Sequence, residues 1–331
     1  MRKLIIAVAL AAAVGAALAA LGAAATAGRD RASAPSAQVK KKKLPALPAA
    51  VKQRKRWIIG VKCDAPPFGY INVKGQNAGF DVEIARWFSR FAFGKSNRVG
   101  FVCVTTPVRE PALTNNRVDL VIATFTYTAD RDTRIDFSRA YYKATGRLLV
   151  RNDSPIHSLA DLKGRKVATT SGSIYDRWVK RCFTDTSLIV TDSFANAQLA
   201  FRDGRADTLM WDDTVLLGIA TTDRNLKLTN DTFLALPYGI GIKQGNVAMK
   251  RWVDSRLELM RKRDLFYGLL KENVPRRLLA GFAKNILRPK VSFGYRADTF
   301  FDAIDGGQET HESTNRGFYG PYLNVTLGLG G

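Results

Sequence analysis

The stretch Val118-Asp-Leu-Val-Ile-Ala-Thr-Phe-Thr-Tyr-Thr-Ala-Asp-Arg-Asp-Thr-Arg-Ile-Asp-Phe-Ser138 decides how the chain is read. Val118–Ala123 is a short, mostly apolar run, the pattern of a buried strand. A ladder of hydroxyls follows, Thr124, Thr126 and Thr128, and then Arg131. Thr124 and Thr126 are two apart and face the same way in an extended chain. A guanidinium is a planar fork of donors that matches a carboxylate. Hydroxyls and a guanidinium at a strand end suit the carboxylate of a small molecule. A polar loop with a surface arginine fits the same residues, and at this point both readings stand.

Outward from that stretch, strands and helices alternate. Trp57–Val61, Phe101–Val104, Lys166–Thr169, Leu188–Val190 and Asp207–Trp211 read as strands. Gly79–Phe93, Pro107–Asn115, Ser173–Cys182, Ser193–Arg202, Asp213–Thr221 and Val247–Met260 read as helices. Such alternation predicts parallel sheets covered by helices. Trp57–Arg288, about 230 residues, is long enough for two modest α/β lobes. Arg147–Arg151 and Leu236–Lys243 are the candidate crossovers, which divides the chain into lobe 1 (57–148 and 237–288) and lobe 2 (149–236). Ligands of open α/β sheets gather at the carboxyl ends of strands, where the Thr124–Arg131 seat lies.

The ends differ in kind. Met1–Ala27 has a basic start, the apolar run Leu4–Ala25 and a small-x-small site at Ala25-Thr26-Ala27, the layout of an export signal. The run is also long enough for a retained membrane anchor. Either way the chain is expected to be exported, extracellular or periplasmic. Gly28–Arg56 reads as a basic linker with too little apolar content to fold. Met1–Arg56 holds twelve basic residues and one acidic, half of the net charge of +22. The basic excess therefore says little about the folded body. The Lys40–Lys43 arm suits an anionic cell surface or a solvated spacer, and without interleaved aromatics it offers no platform for nucleic acid. Residues 289–331 form a Gly-rich tail without an assigned role. Of three cysteines, Cys63 and Cys103 end predicted strands and pair if those strands are neighbours, whereas Cys182 reads as a small buried apolar residue. Cys and His show no metal-ligand spacing, and no cofactor is expected.

Further pieces recur in order: Gly60-Val-Lys-Cys-Asp-Ala-Pro-Pro-Phe68, Gly79-Phe-Asp-Val-Glu83, Asn116-Arg-Val-Asp119, Thr126-Tyr-Thr-Ala-Asp-Arg131, Ile135-Asp-Phe-Ser138 with Tyr141-Tyr142, Asp161-Leu-Lys-Gly164, Ser171-Gly-Ser173 and Pro237-Tyr-Gly-Ile-Gly241. Together they resemble the polar-amino-acid solute-binding proteins of ABC importers, in particular the glutamate/aspartate type. The resemblance spans roughly 57–287. It implies a two-lobed periplasmic-binding-protein fold with two strand hinges, a monomer, and membrane permease subunits as partners. It also implies that Thr124, Thr126 and Arg131 hold an α-carboxylate, with help from Ser173 before a helix. Asp212, preferred over its neighbour Asp213, would take the α-ammonium. Ile174 stands where many relatives have a second hydroxyl. Lys62 and Arg109 match bases of the acidic-ligand members, and ordinary surface charge is the alternative for both; Phe68 and Tyr70 would be apolar lining or core.

The expected function is an extracellular component that binds L-glutamate or L-aspartate by lobe closure and is not an enzyme. A dehydratase-type enzyme on the same scaffold needs a general acid, and His157, in a loop, and His311, in the tail, are poor ones. A ligand-sensing surface module is the third reading.

Overall fold

Short apolar runs pair as strands in two mixed sheets, and longer runs with apolar residues every third or fourth position cover them as helices. The structure is a computed structural model and describes residues 44–286, 294–295 and 321–322. The export segment Met1–Ala27, the Lys40–Lys43 arm, His311 and most of the tail lie outside the described residues.

In chain order the elements are α1 (Ala49–Arg54), β1 (Trp57–Val61), β2 (Asp64–Ala65), β3 (Gly69–Ile71), β4 (Asn77–Ala78), α2 (Phe80–Phe93), β5 (Val99–Cys103), α3 (Arg109–Thr114), β6 (Leu120–Val121), α4 (Ala129–Asp132), β7 (Ile135–Phe137) and β8 (Tyr142–Arg151). There follow β9 (Lys166–Thr170), α5 (Ile174–Cys182), β10 (Ser187–Thr191), α6 (Phe194–Arg202), β11 (Thr208–Asp212), α7 (Asp213–Thr222), β12 (Leu226–Leu228), β13 (Phe233–Tyr238), β14 (Gly241–Lys243), α8 (Val247–Lys262), α9 (Leu265–Asn273) and α10 (Arg276–Ala283).

The first sheet has the order β5-β1-β6-β14-β7, and the second β10-β9-β11-β8-β12 with β13 also on β8. β1 is parallel to β5 and β6, and β9 to β10 and β11, as expected for strands joined by helices. The return strand β14 runs antiparallel to β6 and β7, and β8 is antiparallel to its neighbours, so both sheets are mixed. Two lobes result, one per sheet. The chain crosses between them at residues 138–142 and again at 238–240, where Tyr142 faces Tyr238 in the β8–β13 ladder. Arg147–Arg151, read from sequence as the first crossover, lies inside the second sheet instead, paired with β11 and β12. The core of the first lobe packs Trp57 tilted against Trp252 at 5.1 Å and sets Phe88 edge-on to Trp252 at 5.3 Å, joining β1, α2 and α8.

Three expectations are corrected. The last part of the basic linker is folded: α1 buries Val51 completely, and Arg54 pairs with Asp119, whose carboxylate also accepts the Ile58 amide. One apolar residue and one ion partner suffice to dock a single turn whose composition is otherwise polar. Cys182 is exposed, because it closes α5 on the solvent side. Phe68 packs in an aromatic cluster with Phe80, Tyr142 and Tyr238 at 5.0–6.0 Å rather than lining an opening.

β1 and β5 are parallel neighbours with Val61 opposite Cys103, and the Cys63–Cys103 disulfide closes there over a separation of 40 residues with Cα atoms 5.5 Å apart. Closing such a loop restricts the unfolded chain by on the order of 3–4 kcal/mol. The double variant Cys63→Ser/Cys103→Ser is expected to lose about that much unfolding free energy, and so to unfold at lower denaturant. The wild type with reductant should follow it, as chemical denaturation watched by tryptophan fluorescence will show.

Candidate ligand-binding cavity

Between the lobes, Arg109, Thr124, Thr126 and Arg131 of the first lobe face Ser173, Ile174, Tyr175, Trp211 and Asp212 of the second, with Leu236 at the crossing. Six of the eight residues picked from sequence thus meet at one cavity. Lys62 and Phe68 are not among its lining.

β6 ends at Val121, and the chain then turns sharply, because Thr124 adopts φ 45°. A β-branched residue in the left-handed region costs about 1–3 kcal/mol and persists only when its surroundings hold it. The turn aims two successive carbonyls, Ala123 and Thr124, at Nη1 of Arg109, at 2.9 and 3.0 Å. Arg109 also lies 4.4 Å from the centre of the Phe125 ring, a cation–π contact. Thr128 caps α4 by accepting the Arg131 amide at 3.1 Å, and so fixes where Arg131 starts. The Arg131 guanidinium donates to the Thr126 carbonyl and, across the cleft, to the Gly172 carbonyl, both at 2.8 Å. Its Nε is 3.4 Å from Glu110 Oε1. Gly172 (φ 69°) brings its backbone close to Pro107 of the other lobe, where a Cβ would sit 3.4 Å from Pro107 Cα.

On the second lobe, Ser173 caps α5 by accepting the Asp176 amide at 3.0 Å. Asp212 ends β11, and its carboxylate accepts Tyr175 O–H at 2.6 Å and Tyr238 O–H. Asp213 turns away, accepting the amides of Thr214 at 2.8 Å and Thr145 at 3.2 Å. Of the two adjacent aspartates, Asp212 is the one at the cavity.

Burial dominates the electrostatics. It lowers both guanidiniums, Arg109 to about 10 and Arg131 to about 9, which leaves them charged at neutral pH. It raises the Asp212 carboxyl to about 6, against the opposing pull of the two tyrosine donors. Lys62 is completely buried, and its Nζ is 2.8 Å from Asp64 Oδ1. Burial lowers the Lys62 pKa, and the charges of Arg109 and Asp212 still reach it. Lys62 therefore stands near the cavity as half of an ion pair, not as a free cation.

Besides Arg131–Gly172, further contacts join the lobes: Asp130 pairs with Arg177, Asp64 Oδ2 accepts the Phe194 amide at the start of α6 at 3.0 Å, and Asn285 Nδ2 donates to Asp213 Oδ2 at 3.4 Å. The enclosed space is about 20 Å³, room for about one water. A molecule of amino-acid size does not fit this space with the lobes as they stand.

Tyr175, Trp211 and Leu236 escaped the sequence reading. Two of them had a signal: Tyr175 sits two residues after Ser173 in the first helical turn, and Trp211 directly precedes Asp212.

Comparison with known proteins identifies the family. The family described as bacterial extracellular solute-binding proteins, family 3, matches residues 57–272. The ABC transporter glutamine-binding protein GlnH of Bacillus subtilis is 34% identical over 215 residues, covering 64% of this chain and 79% of the relative. The glutamine-binding protein of Geobacillus stearothermophilus is 36% identical over 193 residues, or 58% and 74% of the two chains. Among solved structures, a cysteine-binding protein from Campylobacter jejuni superposes with a TM-score of 0.66 at 28% identity, covering 68% of this chain and 91% of that one.

The Asp212 carboxyl is expected to titrate near pH 6 when followed by carbon NMR. Tyr175→Phe removes a donor to the ionised form, so it should move that midpoint further up.

Proposed function

The chain belongs to the bacterial extracellular solute-binding proteins of family 3, and we propose that it is the amino-acid-binding component of an ABC importer, with L-glutamine as the preferred ligand. One observation carries the amino-acid reading: Arg131 and Asp212, both buried, project from opposite lobes onto one cavity. A zwitterion places its α-carboxylate on Arg131, Thr124, Thr126 and Ser173, and its α-ammonium on Asp212. Each end then completes a charge that burial otherwise penalises. Closure of the lobes over the ligand exchanges water for these contacts and presents the closed form to the permease subunits.

The side-chain end separates glutamine from glutamate. From sequence, Lys62 and Arg109 stood as two cations favouring a second carboxylate. Asp64 cancels the first, and two backbone carbonyls occupy the second. Neither member of the Lys62–Asp64 pair lines the cavity, so the site holds no spare cation to reward a second carboxylate, which favours a neutral carboxamide over a carboxylate at the side-chain end. Two relatives are named glutamine-binding, in keeping with this choice. The glutamate/aspartate reading keeps the support of Arg109 and of a more distant relative named glutamate-binding, 27% identical over 228 residues.

Titration calorimetry with glutamine, glutamate, aspartate and arginine tests the proposal. Glutamine should bind tightest and arginine not measurably. Glutamate or aspartate binding tighter would restore the acidic reading, and tightest binding of arginine would overturn both. Arg131→Ala should weaken binding by roughly a hundredfold or more, the loss of two charge-assisted bonds of about 1.5–3 kcal/mol each. Affinity should also fall by up to about tenfold per pH unit below pH 6, because protonated Asp212 no longer attracts the ammonium.

A further inference from the structure

The Gly79-Phe-Asp-Val-Glu83 motif contributes nothing to the cavity wall, yet it sits directly behind it. Gly79 has φ 117°, and a Cβ there would lie 2.3 Å from the Phe68 carbonyl oxygen. Only glycine permits this entry, which lets the amides of Phe80 and Asp81 donate to the carbonyls of Pro67 and Phe68, both at 2.9 Å. Asp81 is thereby planted, completely buried, in the first turn of α2. Its Oδ2 accepts the Thr124 amide at 2.8 Å, and its Oδ1 accepts Tyr141 O–H at 2.9 Å.

Thr124 is the residue in the left-handed conformation. Its N–H is held by Asp81, and its carbonyl by Arg109. Removing either clamp frees a strained β-branched residue to return to ordinary backbone angles. The Thr124 hydroxyl and the acceptors that fix Arg109 would then leave their places. Tyr141 in turn donates its own amide to the Tyr238 carbonyl at 2.9 Å, so the chain of contacts reaches the crossing between the lobes.

We propose that Asp81 is a positioning residue for ligand binding, setting Thr124, and through it Arg109, from behind the cavity without touching the ligand. The proposal rests on the amino-acid reading above. The titratable and charged groups that face Asp81 are Tyr141 and Arg109. Burial lifts the Asp81 carboxyl to about 7, so its charge changes within the neutral range. The ionised form is the stronger acceptor for the Thr124 amide.

The test is glutamine binding by calorimetry from pH 6 to 8.5, together with the Thr124 amide nitrogen shift followed by NMR over the same range. In the wild type, affinity should rise with pH through a step near 7, and the Thr124 shift should follow the same step. Asp81→Asn keeps an acceptor for Thr124 but cannot titrate. It should hold affinity within a few-fold at pH 6 and lose both steps. Asp81→Ala should lose about tenfold or more in affinity. Tyr141→Phe keeps Asp81 in place while removing a donor to its ionised form, so it should move both steps to higher pH; this arm stands even where Asp81→Ala fails to fold. Unchanged affinity in a folded Asp81→Ala, or a step that persists in Asp81→Asn, would overturn the proposal. Should the wild type bind no amino acid at all, the functional reading fails, and a Thr124 shift step that disappears in Asp81→Asn still supports Asp81 as the group that sets Thr124, whereas a persistent step refutes it.

Discussion

Arg131 organises the cleft. A guanidinium taken almost wholly out of water must find acceptors or a counter-charge. Arg131 finds a carbonyl in its own lobe, Thr126, and one in the other, Gly172, with Glu110 farther off. The first bond fixes the side chain against the turn after β6. The second makes the position of the whole second lobe a matter of satisfying one cation. Two neutral carbonyls answer a full positive charge only in part. The same dry site thus retains an electrostatic demand for an anion, and the facing Asp212 carries the opposite demand.

Two of the other interlobe contacts differ in kind. Asp130–Arg177 is an exposed pair at the rim, worth little and weakened by salt. Asp64 to the Phe194 amide places a carboxylate at the positive end of α6, while Lys62 balances that carboxylate from its own lobe. Each is available only when the lobes are together. These contacts favour the closed arrangement slightly, and a zwitterion bound as proposed would add its own.

Much of this was legible in the chain. The periods of Phe80–Phe93 and Val247–Lys262 and the short apolar runs around them identify the covered sheets, and Ser173 before α5 and Thr128 before α4 follow cap preferences that sequence displays. Asp212 rather than Asp213 lines the cavity because it ends β11, while the next residue begins α7. Other features turned on contacts that no local pattern encodes. Phe68 was drawn into the aromatic core because the Gly79 turn brings α2 against it. Arg109 is occupied by carbonyls that point at it only because Thr124, with no glycine to advertise the turn, takes a left-handed conformation. The fate of Lys62 had a visible clue: Asp64, two positions along an extended chain, lies on the same side.

The two connections between the lobes are not independent. β8 and β13 pair side by side at the crossing, with Tyr142 opposite Tyr238 and Lys143 opposite Pro237. With Ile286 bridging Tyr142 on the other side, the crossing is a narrow ribbon that flexes more readily out of its own plane than along it, since sliding one strand along another would break its hydrogen bonds. The joint therefore behaves as a leaf spring with a single soft direction. Such a joint would let the lobes swing like a book about its spine more readily than shear or swivel, and would bring Arg131 and Asp212 back to the same separation at each closing.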